Sequence, residues 1–256
     1  MQTKEGTVRT EAIPQGLVWQ VCKSNVSNGY KQSQGDHTLF IKHSSSGGVT
    51  VLIVYVDDII VTGNDQAERE TLKAKLATEF EIKDLGKLKY FLGIEVARSK
   101  EGIFVSQQKY VIDLLKETGK IGCKPVKTPN EPNHKLGEAV DDEPVDKGMY
   151  QRLVGRLIYL SHTRLDIAYA VSAVSQFMHN PKEVHLQTVY RILQYLKSSP
   201  GRGILFKRGL CLNLEVYTDS DYASSVSDRR STSGYCAFLG GNLVTWRSKK
   251  QPVVAR

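Results

Sequence analysis

Along this chain the sharpest pattern of apolar and polar positions is the run Val51-Leu52-Ile53-Val54-Tyr55-Val56-Asp57-Asp58-Ile59-Ile60-Val61, in which two adjacent carboxylates interrupt an otherwise apolar stretch. Val, Ile and Tyr favour strands, so two short apolar arms around a polar pair predict a β-hairpin with both aspartates at its tip. Leu72, Leu76 and Phe80 then recur at helical spacing across 65–80, and Lys83-Asp84-Leu85-Gly86 reads as a break. Two strands follow, 90–96 and 102–105, joined by the charged turn Arg98-Ser99-Lys100-Glu101. Tyr110, Val111, Leu114 and Leu115 form one face of a helix. Residues 1–28 show no convincing period.

The stretch 124–147 holds Pro125, Pro129, Pro132 and Pro144, which suits neither a helix nor a central strand and reads as a linker. Beyond it lie three helical patterns, built on Leu153, Val154, Leu157 and Ile158, on Ile167, Ala170, Val171, Val174 and Phe177, and on Leu186, Val189, Ile192, Leu193 and Leu196. Asn180-Pro181 and Ser199-Pro200-Gly201 break them apart, giving a small all-helical module. The tail reads as strands 214–218, 235–239 and 243–246, the last two joined by a tight turn at Gly240-Gly241-Asn242. No helix is expected to cover that sheet, leaving a bare apolar face.

A second acidic pair, Asp141-Asp142, serves as a control: it lacks apolar arms and stands beside Pro144, the setting of a solvated loop. The apolar frame therefore carries the inference at Asp57 and Asp58, and on the frame alone a catalytic tip and an ordinary turn fit about equally. Two carboxylates held rigidly suit a hard divalent cation such as Mg²⁺, and two such ions clamp the attacking and leaving oxygens of a phosphoryl transfer. The 256 residues, 40% hydrophobic, can bury a core. A net charge of +8 and a pI near 9.2 suit an anionic partner such as nucleic acid. Cys22, Cys123, Cys211 and Cys236 are scattered with no zinc spacing, which reads as free thiols in a reducing compartment. With no long apolar run and no signal-peptide pattern, an intracellular, soluble protein is expected, cytoplasmic or nuclear, with no membrane contact.

From Gly29 to Arg256 the sequence resembles the reverse transcriptase of copia-type retrotransposon Pol polyproteins. Gly29-Tyr30-Lys31-Gln32-Ser33-Gln34-Gly35-Asp36-His37-Thr38-Leu39-Phe40 is similar to the family's strand entering the active-site hairpin, and Tyr55-Val56-Asp57-Asp58 to its catalytic tetrad. Lys83-Asp84-Leu85-Gly86 with Tyr90-Phe91-Leu92-Gly93-Ile94-Glu95 resembles its primer grip. Ser106-Gln107-Gln108-Lys109-Tyr110, Tyr150-Gln151-Arg152-Leu153-Val154-Gly155, Thr163-Arg164-Leu165-Asp166 and Gln176-Phe177-Met178 follow in the family's order, with Leu165 in place of the usual Pro. Tyr217-Thr218-Asp219-Ser220-Asp221, with Arg229-Arg230-Ser231-Thr232-Ser233-Gly234-Tyr235, resembles the start of a ribonuclease H domain.

The resemblance implies an α+β fold: a polymerase palm-like antiparallel sheet with the catalytic hairpin, a helical thumb/connection module and a truncated ribonuclease H-like sheet. The divisions expected are a divergent segment 1–28, a partial palm 29–105, a thumb helix and linker 106–148, the helical module 149–208 and the ribonuclease H-like part 209–256. It implies RNA-directed DNA polymerase chemistry with Mg²⁺ or Mn²⁺ on Asp57 and Asp58, a ribonuclease H metal on Asp219, deoxynucleoside triphosphates as substrates, and a primer-template against Tyr55, Lys83, Phe91, Leu92 and Gly93. The basic series Arg191, Lys197, Arg202, Lys207 and Arg208 reads either as part of that groove or as a solvated face. Family palms need a third carboxylate before the hairpin, and no residue in 1–50 matches it; Asp36, the one aspartate there, belongs to the strand-entry pattern. The expectation is thus a piece of a polyprotein, lacking its N-terminal fingers and palm part and inactive alone, with a non-catalytic nucleic-acid-binding relic or pseudogene product as the alternative.

Overall fold

The computed structural model describes residues 6–10, 23–56, 58–80, 82–131, 136–137, 143–209, 211–223 and 229–254. The chain forms two compact units, Met1–Phe91 and Leu92–Arg256. Each combines helices with antiparallel sheet, so the α+β class read from the sequence holds.

In the first unit the strands are β1 (Gly6–Thr10), β2 (Lys31–Gln32), β3 (Leu39–His43), β4 (Val49–Tyr55), β5 (Asp58–Gly63) and β6 (Ile82–Gly86), in the sheet order β2-β3-β4-β5-β1-β6. Residues 23–27 are helical (α1), and the short strand β7 (Tyr90–Phe91) ends the unit. β4 and β5 form the expected hairpin, with Leu52 opposite Val61 and Tyr55 opposite Asp58. Alternation along β4 buries Thr50, Leu52 and Val54. These meet Phe40 and Tyr30 below α2 (Gln66–Glu79), which contributes Leu72 and Leu76 to the core. Asp65 caps that helix by accepting from the Glu68 amide at 3.0 Å. Two expectations are corrected. The stretch 83–86 is strand rather than break, and a strand runs through 6–10, where no period was visible. Each is the partner of the other: β1 pairs with β6 as well as β5, and this non-local pairing overrides weak local propensity.

The second unit begins with the antiparallel strands β8 (Ile94–Arg98) and β9 (Gly102–Ser106), to which β10 (Gly203–Lys207) adds from far along the chain. Helices α3 (Gln108–Glu117), α4 (Lys147–Leu160), α5 (Leu165–Ser175) and α6 (Glu183–Ser198) bury their apolar faces in one core containing Leu114, Tyr150, Leu157, Ile167, Val174, Ile192 and Leu196. The Pro-rich stretch belongs to this unit, and its early part is strapped to α6. Lys120 lies 3.9 Å from the centre of the Tyr190 ring, and Arg191 donates to Glu131 and Thr128 at 2.9 and 3.2 Å.

The last three strands are β11 (Leu214–Ser220), β12 (Thr232–Leu239) and β13 (Asn242–Lys250), in that sheet order. Gly240 and Gly241 at φ 56° and 73° make the two-residue turn that the sequence foreshadows, with Leu239 opposite Asn242. The expectation of an uncovered sheet is corrected for β13. Ser172 of α5 donates to the Ser248 carbonyl at 3.2 Å, and Trp246 Nε1 donates to the Ser161 carbonyl at 3.1 Å. β11 is exposed at every position. The described cysteines, Cys123, Cys211 and Cys236, are free thiols; Cys22 lies outside the described residues. Among the described residues no helix is long and apolar enough to cross a membrane.

Candidate functional site

The β4–β5 hairpin presents Asp58 as the first residue of β5, opposite Tyr55 at the end of β4. Asp57 itself lies outside the described residues. Val56 sits at φ 50°, a left-handed conformation that a β-branched side chain resists by roughly 1–2 kcal/mol. Such strain is retained where the surrounding structure over-determines the turn, and here a six-residue ladder on both arms does so. Tyr55 is 46% exposed, with Phe91 edge-on at 6.4 Å. Two residues singled out separately by the sequence thus meet at the end of β4, where Tyr55 stands opposite Asp58.

On the other side of β5 runs β1, with Val8 opposite Ile59 and Arg9 opposite Asp58. The residues of β1 are Gly-Thr-Val-Arg-Thr, so the strand next to the aspartates brings no carboxylate. Two adjacent carboxylates suit one divalent cation that completes its shell with substrate phosphates and water. Among the described residues no three His, Cys, Asp or Glu side chains gather to hold a metal. Asp36, read as part of the strand entry, stands in the turn before β3: its carboxylate accepts from the Thr38 hydroxyl at 2.7 Å and amide at 2.9 Å, which together hold it below the usual range. Lys83 is exposed in β6, opposite Arg9. Its neighbour Asp84 is raised by burial, but the Gly86 amide and Lys73, 3.0 Å away, bring it below the ordinary value.

Leu92 and Gly93 open the second unit with φ 49° and 82°. The Tyr159 hydroxyl donates to the Leu92 carbonyl, and Gly93 lies against the Tyr159 and Tyr110 rings. Those rings contact edge to face at 5.5 Å. Tyr110 also lines a groove of about 730 Å³ with Met149, Arg152, Gly155, Arg156 and Tyr190. Gly155 is mid-helix in α4, and a β-carbon there would meet nothing within 4 Å. Arg156 pairs with Glu117, whereas Arg152 makes no ion pair among the described residues. The sequence reading missed this groove, although a signal existed: Arg152, Gly155 and Arg156 stand opposite the apolar face of Tyr150, Leu153, Val154 and Leu157.

The stretches that carried the resemblance in this unit are largely framework. Glu95 accepts from the Gln108 and Lys109 amides and so caps α3 from a neighbouring strand. Thr163 donates to buried Gln107 at 2.7 Å. Arg164, 1% exposed, forks onto Asp166 at 2.9 and 2.8 Å and reaches the Ser199 carbonyl at 2.9 Å. Tyr195 and Arg202 donate to the same Asp166 oxygen at 2.7 and 3.0 Å. Burial raises the Asp166 carboxyl, but these donors outweigh it and hold it low. The basic series is accordingly divided. Arg202 is tied to Asp166, Arg191 to Glu131, and Lys197 to the Cys123 carbonyl, while Lys207 and Arg208 are exposed. Asp219 is exposed on β11, opposite Gly234, with its carboxylate on the Ser220 amide at 2.9 Å.

A sheet-borne hairpin that carries Asp58, within the sequence Tyr-Val-Asp-Asp, stands in an α+β fold, and the sequence comparisons give the class. Residues 14–132 match the family model described as reverse transcriptase (RNA-dependent DNA polymerase), and the chain belongs to that family, in the copia-type retrotransposon Pol polyproteins. It is 43% identical over 228 residues to the retrovirus-related Pol polyprotein from transposon RE1 of Arabidopsis thaliana, which covers 89% of this chain and 16% of the relative. It is 34% identical over 238 residues to the corresponding polyprotein from transposon TNT 1-94 of Nicotiana tabacum, covering 90% and 18%. An uncharacterised mitochondrial protein of Arabidopsis thaliana is 40% identical over 207 residues, 80% of this chain and 85% of that protein. The chain thus spans under a fifth of the length of the polyproteins it matches. No solved structure matches it.

Proposed function

We propose that this chain is the palm and thumb part of an RNA-directed DNA polymerase, whose nucleotidyl transfer in the longer polyprotein centres on Asp57 and Asp58, and that alone it binds nucleic acid without extending a primer. The observation that carries the reading is the hairpin: two apolar strands in a six-stranded sheet place Asp58 opposite Tyr55, next to the left-handed Val56. Asp57 and Asp58 would hold a divalent cation, which when bound would neutralise the triphosphate and stabilise charge on the transferring phosphoryl group. Tyr55, Phe91 and Lys83 line the same unit's approach to the primer-template, and Leu92 and Gly93 meet Tyr159 and Tyr110, the latter a lining residue of the groove with Arg152. An aromatic wall with arginines matches the needs of a nucleic-acid strand, which stacks bases and neutralises phosphates.

Binding without catalysis is favoured for this chain by β1. The strand beside Asp58 supplies no third acid, and a pair of ions needs more anionic ligands than the two of the hairpin. On the same reading 209–256 is the start of a ribonuclease H-like sheet with Asp219 as its first metal ligand, and the divisions at 28, 105, 148 and 208 stand as proposed functional parts. The test is metal binding at the tip. Mn²⁺ added with a deoxynucleoside triphosphate is expected to broaden amide signals of residues 55–60 through paramagnetic relaxation, and Asp57→Asn/Asp58→Asn is expected to remove the broadening. Broadening centred elsewhere, or untouched in the variant, contradicts the assignment.

A further inference from the structure

Strand register divides the C-terminal sheet into two faces of different chemistry. Thr218, Tyr235 and Arg247 stand in one row and Ser220, Ser233 and Lys249 in another, two residues further along each strand and therefore on the same face. Asp219, Gly234 and Ser248 form the row between them, which belongs to the opposite face, the one carrying Trp246. The first face thus combines two exposed cations, three hydroxyls and the Tyr235 ring, 41% exposed. The Ser220 and Ser233 hydroxyls lie 3.0 Å apart. Among the described residues neither Arg247 nor Lys249 makes an ion pair, and the acids of the sheet, Glu215 and Asp219, alternate onto the other face. A concavity of about 680 Å³ is lined by both rows, with Asp219 and Gly234 at its margin.

We infer that this face binds single-stranded nucleic acid, with Arg247 and Lys249 on successive phosphates and a base stacked on Tyr235. Charge complementarity selects a polyanion, since among the described residues two cations without ion pairs face one acid, Asp219, around the concavity. The aromatic ring selects a single strand over a duplex, whose bases are not free to stack on protein. The hydroxyls supply neutral donors to phosphate oxygens. This surface shares no lining residue with the α4 groove, and the inference rests on the nucleic-acid reading above.

The test is a salt titration of binding to an unstructured DNA strand and to a DNA duplex, using the whole chain. Arg247→Gln/Lys249→Gln is expected to reduce the slope of log affinity against log salt by about 1.4, since each phosphate contact on a single strand contributes roughly 0.7. Tyr235→Leu is expected to lower single-strand affinity roughly five- to a hundredfold with the slope unchanged. Lys100→Gln/Lys147→Gln removes the same charge from exposed positions elsewhere and is expected to leave the slope in place. Equal losses in the two double variants, an unchanged slope in Arg247→Gln/Lys249→Gln, or a duplex preference indifferent to Tyr235 overturn the inference. Wild-type protein that binds neither probe defeats the nucleic-acid reading itself, a distinct result.

Discussion

At the scale of the residue, Asp166 shows how a family motif can serve structure rather than chemistry. Its carboxylate gathers Arg164, Tyr195 and Arg202 and so joins the α4–α5 turn to the end of α6. Because its folded pKa lies below the ordinary value, the stabilisation is fully present above the unfolded pKa near 4 and is lost as pH falls through the lower folded value. Asp166→Asn leaves the Arg164 guanidinium buried without its counter-charge, which costs about 3 kcal/mol. The expected outcome in urea titrations is a less stable second unit at pH 7, and a shallower further loss between pH 5 and 3 than in the wild type. Equal stability of the two proteins at pH 7 contradicts the clamp.

The reach of sequence reasoning is also plainest in such particulars. The β4–β5 hairpin that carries Asp58 was legible because apolar arms framed it, whereas the Asp36 turn, held by Thr38, was hidden inside a strand-entry pattern. The Asp166 cluster was not legible, since its partners lie 29 and 36 positions away on α6 and beyond it, and no local period records that meeting.

At the scale of the element, helices were read nearly as they stand, because each exposes its own period: α2, α3, α4, α5 and α6 all fall on their apolar patterns. Strands that depend on distant partners were not. β1, β6 and β10 pair across long separations, and Gly203–Lys207 carries too short an apolar run to announce itself. One element makes an opposed prediction about stability and binding. Gly155 costs α4 about 1 kcal/mol relative to alanine, and no internal packing requires it. If the groove floor admits a nucleic-acid strand, Gly155→Ala is expected to raise thermal stability while weakening binding severalfold. A variant that is more stable and binds as well as the wild type removes the groove from the interface.

For the whole molecule, the unevenness of burial sets the order of local opening. The α3–α6 core is closed on itself, whereas β11 exposes all seven of its residues, including Leu214, Val216 and Tyr217. Segments with few buried contacts open at lower free energy. Limited proteolysis is expected to cut within 212–222 before it cuts 147–198, and the reverse order contradicts this ranking.

The central claim, that the hairpin is a polymerase site which this chain cannot operate alone, is tested most directly by primer extension. Purified chain, a primed RNA or DNA template, the four deoxynucleoside triphosphates and Mg²⁺ or Mn²⁺ are incubated, and products are resolved by length beside Asp57→Asn. The account predicts no extension from either protein, because β1 brings no carboxylate to Asp58. Template-directed extension by the wild type that disappears in Asp57→Asn contradicts it, since it shows that the two aspartates of the hairpin suffice.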